Sequence, residues 1–261
     1  MPTSMPSGRI PYALRRVFVE AFTAHDIAEP LASFDDGAPS ADVRAFMEAN
    51  DFDVVGIRRD GRVAGFVGRE SLDGGACGGH CVSLDGVPVL DDASPLLNVL
   101  LELKQAPLVF ISLLGAVGGI VTRDDLEKPP VRMWLFGLVT LIESRFTELI
   151  ERHCTADKWM QYLSEARLEK ARAILSERRR RNQSLRLFDC LQFADKGQIV
   201  ARDAQIRQMT IFPSRRAAED AIKTLERLRN NLAHAQDVVT SDWDAIVRLG
   251  EFVSDQFKPI Q

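Results

Sequence analysis

The chain has 261 residues, 46% of them hydrophobic, a formal net charge of −4 and four cysteines. That length favours two domains over one, and the apolar content builds ordinary cores, which excludes a disordered chain. Four cysteines in a chain of this size do not make a disulfide framework, and the charge excludes a strongly basic polyanion binder.

Residues 1–16 lack an uninterrupted apolar stretch and so do not read as a secretory signal. The most apolar run, Pro107 to Val121, is too short for a bilayer and is broken by glycines, so it reads as two buried strands. The expectation is a reduced, soluble, cytoplasmic protein with no membrane association. The charge is uneven: residues 1–128 hold 11 Lys/Arg and 19 Asp/Glu, a net of −8, whereas residues 129–261 carry a net of +4. Only the C-terminal half is suited to meet a polyanion, and weakly.

From about residue 17 to 128 a unit of short helix, strand, strand and helix occurs twice. In the first copy Ala41–Asn50 has helical spacing through Val43, Phe46 and Met47. Strands over 53–58 and 63–67 follow, joined by a turn at 59–62. In the second copy Pro95–Gln105 is an amphipathic helix, followed by strands over 107–114 and 117–122 with a turn at Gly115. Two copies about 55 residues apart form an internal repeat whose halves pack on each other. Repeat 1 spans about 17–75 and repeat 2 about 82–128. Between them, Cys77, His80 and Cys81 sit in a glycine-rich stretch. Three ligands fall short of the four a structural zinc site needs, so the stretch reads as a flexible connector and no metal is expected.

The second copy ends on Gly119-Ile120-Val121-Thr122-Arg123-Asp124-Asp125. Gly119 permits close backbone approach, Thr122 sits at a helix start where free N–H groups favour phosphate, and Arg123 forks onto phosphate oxygens. Asp124 flanks the site, and Asp125 accepts hydrogen bonds from ribose hydroxyls. The plainer reading is that Thr122 caps the helix, with Asp124 and Asp125 favouring its dipole. The repeat and this motif resemble a tandem pair of CBS domains, the Bateman module, whose nucleotide motif is G-h-x-T/S-x-x-D/N. The resemblance implies an adenosine nucleotide (AMP, ADP or ATP) as regulatory ligand. Repeat 1 departs from it, with Gly68 where the motif has Thr and Ser71 where it has Asp, so one working site and one degenerate site are expected.

Lys128-Pro129-Pro130 marks the boundary, and 129–261 reads as helical throughout. Helices are expected over Arg132–Glu151, Trp159–Ser176, Ser184–Lys196 closed by Gly197, Pro213–Ala235 with Ser214 as N-cap, and Asp242–Phe257. Short loops between apolar stripes make an up-and-down bundle. Arg178 to Arg181 form its sharpest basic cluster, either a solvated helix C-terminus or a contact for RNA phosphates.

Near the end of the fourth of these helices the sequence reads Arg229-Asn230-Asn231-Leu232-Ala233-His234. At 100° per residue Leu225, Leu228 and Leu232 share one side, and Lys223, Arg227, Asn230 and His234 the other. Arg229 lies on the flank of the apolar stripe, and Arg227 is its better-phased rival. The hexapeptide resembles the Arg-x4–6-His signature of HEPN ribonucleases, which implies a helical bundle that dimerises so that two such helices build one composite site. In that site His234 transfers protons, Arg229 or Arg227 stabilises phosphorane charge, and Asn230 orients the imidazole or phosphate. No carboxylate cluster accompanies the motif, so cleavage is expected to need no catalytic metal. The 2′-hydroxyl nucleophile restricts it to RNA.

The fold class is therefore α/β plus all-α: a tandem CBS pair followed by a HEPN-type bundle. The functional expectation is an adenine-nucleotide-regulated endoribonuclease acting as a homodimer, with an antitoxin-like partner an open question. The alternative is a non-catalytic nucleotide-sensing regulator whose helices serve dimerisation, RNA binding or partner binding.

Overall fold

The computed structural model describes residues 14, 16–155, 157–232 and 239–256. The chain forms two compact units, Glu20–Val131 and the described residues from Arg132 onward together with those of 14–19.

In the first unit β1 (Glu29–Pro30) precedes β2 (Ser33–Asp35), α1 (Ser40–Asn50), β3 (Val54–Arg59) and β4 (Arg62–Gly68). The pattern then returns as β5 (Val82–Ser83), β6 (Val89–Asp91), α2 (Leu96–Leu103), β7 (Leu108–Leu113) and β8 (Ala116–Thr122). The strands make two four-stranded sheets, ordered β2-β3-β4-β5 and β1-β8-β7-β6. Each repeat thus lends its first short strand to the other's sheet: β1 lies antiparallel to β8, and β5 antiparallel to β4. This exchange interlocks the copies, so the expected boundary near residue 75 does not separate two self-contained sheets.

The repetition extends to fine detail. Both hairpins carry a register shift, after Ile57 and after Ile111, and both turn through two residues of positive φ, Asp60-Gly61 and Leu114-Gly115. Such turns match the right-handed twist of the strands. Val55, Ile57, Val67 and Leu72 of the first repeat are buried, as are Val109, Ile111, Val121 and Leu126 at the equivalent places of the second. The rings of Phe66 and Phe110 meet at 5.1 Å between the two sheets.

The second unit is helical, with no strand among its described residues. α3 (Pro129–His153) leads into it, with Leu135, Leu138, Val139, Ile142, Phe146, Leu149 and Ile150 buried along one face as the apolar spacing requires. Next come α4 (Glu165–Arg180), α5 (Phe193–Arg202), α6 (Ala204–Gln208), α7 (Arg215–Leu232) and α8 (Val239–Gln256), the last kinked at Asp242. Phe146 is the hub: its ring stacks on Phe193 and meets Phe252 edge-on, each at 5.9 Å. Trp134 Nε1 donates to the carbonyl of Phe18 at 2.7 Å, which ties residue 18 to this unit.

The helix expected over Ser184–Lys196 is displaced. Phe188–Cys190 is a single 3-10 turn, α5 begins at Phe193, and Gly197 lies inside it rather than closing it. A Cβ at Gly197 would sit 2.5 Å from Ile222 Cγ2, so this glycine serves close approach of α5 and α7. α6 was not anticipated; Asp203 caps it by accepting from the N–H groups of Gln205 and Ile206. Ser214 does cap α7, accepting from Ala217 N at 3.1 Å.

Candidate functional site

β8 ends at Thr122, and the chain passes through Arg123 into a 3-10 turn, Asp124–Glu127. This corner opens on a cavity of about 740 Å³, within the usual range for small-molecule sites. Its walls come from Glu29 to Ala32 around β1, from Thr122 to Asp125, and from two turns, Asp51–Val54 and Gln105–Leu108. These turns are equivalent in the two repeats, each joining a helix to its following strand. β1 reaches the cavity because Glu29 pairs with Ile120 and Pro30 with Gly119.

Asp125 organises the corner. Its Oδ2 accepts from Thr122 N at 2.7 Å and from Thr122 Oγ1 at 3.1 Å, while Oδ1 meets Lys128 Nζ at 2.9 Å. The residue is only 8% exposed, and these partners meet the demand of a buried carboxylate. Lys128 also donates to Glu29 and to the carbonyl of Ile27. Burial alone would lower its pKa, but hydrogen bonds to Glu29 and Asp125 outweigh burial and hold the ammonium above the ordinary lysine value. Arg123 donates through Nε and Nη2 to the carbonyl of Leu103, at 3.2 and 3.1 Å, near the end of α2.

Of the residues singled out from sequence, Thr122, Arg123, Asp124 and Asp125 line this cavity together and Gly119 does not. A Cβ at Gly119 would meet Ile111 at 3.2 Å and the Glu29 carbonyl at 3.4 Å, so its small size serves the approach of β1. The Thr-x-x-Asp turn itself is not diagnostic. Thr23 and Asp26 form the same one, with Thr23 N and Oγ1 donating to Asp26 Oδ2 at 2.7 and 3.3 Å, and neither residue lines the cavity. What sets Thr122 and Asp125 apart is the space beside them.

At the equivalent place in repeat 1 the chemistry is inverted. Ser71 Oγ donates to the Gly68 carbonyl at 2.7 Å, so neither a carboxylate nor a threonine hydroxyl is presented. The neighbouring strand is packed shut: a Cβ at Gly65 would lie 2.4 Å from Cys81 Sγ.

Sequence reasoning missed Phe52, Asp51, Asp53 and Ala106, which complete the cavity from the two equivalent turns. The available signal was the repeat itself, since Phe52 and Ala106 occupy corresponding positions. The connector between the repeats folds onto repeat 1, with a 3-10 turn at Cys77–His80. Cys77 is buried in the repeat-1 core, and its N–H donates to the carbonyl of Ala38, while Gly78 N donates to that of Asp36. Burial pushes the Cys77 thiol above the usual range. His80 Nε2 lies 2.8 Å from the Gly74 carbonyl. No cluster of metal-ligating side chains occurs among the described residues.

In the helical unit α7 buries Leu225 and Leu228, leaves Leu232 half-buried, and exposes Arg227 and Asn230 with Arg229 between. Arg227 Nε donates to Asp242 Oδ1 at 3.0 Å, and Asn231 Nδ2 donates to Asp242 Oδ2. Asp242, 2% exposed and at the kink of α8, is thereby held by two side chains of α7. His234 lies outside the described residues, so the hexapeptide is seen only as far as Leu232. Arg178 to Arg181 end α4, where Arg178 donates to Gln183 and Arg180 and Arg181 pair with Glu177. That is the arrangement of a solvated helix C-terminus.

No protein-family model matches the chain, and no curated protein matches it in sequence. Among solved structures it is similar to an uncharacterized conserved protein from Pyrococcus horikoshii, at 16% identity and a TM-score of 0.37 over 41% of this chain and 90% of that one. It is likewise similar to the CBS-pair protein CBSX2 from Arabidopsis thaliana, at 14% identity and a TM-score of 0.38 over 43% and 96%. A third is the CBS domain of a bacterial CNNM/CorC family Mg2+ transporter in complex with ATP, at 15% identity and a TM-score of 0.36 over 46% and 94%. Among the described residues no helix is long and apolar enough to cross a membrane.

Proposed function

We propose that Glu20–Val131 is a CBS-pair module that binds an adenine nucleotide in the cavity beside Thr122 and Asp125, and that the helical unit delivers the response. One observation carries this reading: an open cleft of nucleotide size between equivalent turns of two repeats, with the Thr122–Asp125 corner on its wall. The apolar lining of Leu31, Phe52, Val54 and Pro107 suits a purine, and the polar corner suits a ribose or phosphate. Binding alters the output only to the extent that the nucleotide prefers one arrangement of the protein over another.

For the output we carry forward RNA cleavage by a homodimer through Arg229, Asn230 and His234. Arg227 and Asn231 serve the buried Asp242, which favours Arg229 as the cation for substrate. The same pairing supports the non-catalytic reading, in which polar residues of α7 brace the helices and the unit only dimerises or binds a partner.

Calorimetric titration of the full chain with adenosine and AMP tests the first half; absence of binding by both would refute it. Labelled RNA incubated in EDTA, with and without AMP, tests the second. Cleavage by the wild type that is lost in His234→Ala supports the enzyme, and RNA left intact in every state favours the regulator.

A further inference from the structure

Among the described residues, the cavity is short of uncommitted positive charge. Glu29, Asp51, Asp53, Asp124 and Asp125 contribute carboxylates to its lining, and Arg123 contributes its one cation. The other cations around it are engaged as well. Arg69 lies 3.5 Å from Asp51 and 2.7 Å from Asp53. Lys128 is held by Glu29, Asp125 and the Ile27 carbonyl, and Arg123 is turned onto the Leu103 carbonyl.

A phosphate entering here must draw a cation away from a partner that then loses its compensation. A single phosphoryl group meets that demand by sharing the Thr122 corner and Arg123. Each further phosphoryl group adds anionic charge toward the carboxylates of the mouth, where like-charge contact is unfavourable. Resting on the nucleotide reading above, we infer that this site discriminates by phosphate number: adenosine and AMP are its ligands, and the metal-free triphosphate is rejected. Asp51 and Asp53 are the discriminating residues. Their side chains are 97% and 84% exposed, so they contribute little to folding, and with Arg69 as the cation between them they leave a net negative charge at the entrance.

The test is a set of calorimetric titrations of the full chain at low ionic strength, in EDTA, with adenosine, AMP and ATP. AMP is expected to bind at least about tenfold more tightly than ATP, a difference of about 1.4 kcal/mol. The double variant Asp51→Asn/Asp53→Asn removes two negative charges and releases Arg69. It is expected to tighten ATP binding about tenfold relative to AMP. ATP binding the wild type as tightly as AMP, or an unaltered ATP-to-AMP ratio in the double variant, would overturn the inference while sparing nucleotide binding. Failure of all three ligands to bind would remove both.

Discussion

Asp125 Oδ2 accepts two hydrogen bonds from one residue, the backbone N–H and the side-chain hydroxyl of Thr122, at 2.7 and 3.1 Å. A single carboxylate therefore fixes the end of β8, the first turn beyond it and one wall of the cavity. The same oxygen could not be wholly given to a ribose without loosening that corner, so the proposed ligand binding would be coupled to local structure here.

Removing only the hydroxyl arm measures its share of that corner's stability. Thr122→Val is expected to lower stability by about 1 kcal/mol, the net worth of one hydrogen bond, and Thr122→Ser to leave it nearly unchanged. Urea denaturation of both variants checks this. Equal stability of Thr122→Val and wild type would mean that the 3.1 Å contact contributes nothing.

The packing of α5 on α7 makes a second prediction. Gly197→Ala gains helix propensity, worth about 1 kcal/mol in open space. Here the added methyl would stand 2.5 Å from Ile222 Cγ2, and overpacking of this kind costs about 1–3 kcal/mol. Gly197→Ala should therefore destabilise, and its cost should be smaller in an Ile222→Ala background than in the wild type. A double-mutant cycle by thermal denaturation reads the coupling directly.

The acid limb of the stability curve depends on Asp189. Side-chain hydrogen bonds from Arg186 hold its carboxyl below the ordinary carboxylate value. A depressed folded pKa means that the stabilisation is fully present above the unfolded value, about 3.9, and is lost as pH falls through the folded one. Asp189→Asn should cost about 0.5–1 kcal/mol at neutral pH, discounted for the partial exposure of the pair. That difference should vanish well below pH 4. A difference that persists undiminished at low pH would place the effect in packing rather than charge.

Much of the N-terminal architecture was legible because period and punctuation agreed. Val54–Arg59 and Leu108–Leu113 are apolar runs bounded by Asp-Gly and Leu-Gly turns, and α1 and α2 follow their apolar spacing. The exchange of β1 and β5 was not legible: strands of two residues carry no periodicity, and their pairing is decided by the partner's open edge. Gly197 misled for a related reason. Glycine closes helices often enough that its use for close packing is invisible until Ile222 of another helix is known. At the site, the Thr122–Asp125 turn was readable, but Thr23–Asp26 shows that the turn alone is common. The cavity that gives it meaning is built by Phe52 and Ala106, which sit in the connecting turns. In α7 the stripe of Leu225 and Leu228 was readable, whereas the capture of Arg227 by Asp242 depends on the kink in α8.

Adenine-nucleotide binding in the cavity beside Thr122 is best tested by filling that cavity without touching Asp125. Ala106 lines it at a turn whose counterpart in repeat 1 carries Phe52, so the turn accepts an aromatic side chain. Isothermal titration of AMP into the full chain and into Ala106→Trp, with both folded by circular dichroism, is predicted to give saturable binding for the wild type and none for the variant. Equal binding by the two, or no binding by either, would contradict the account.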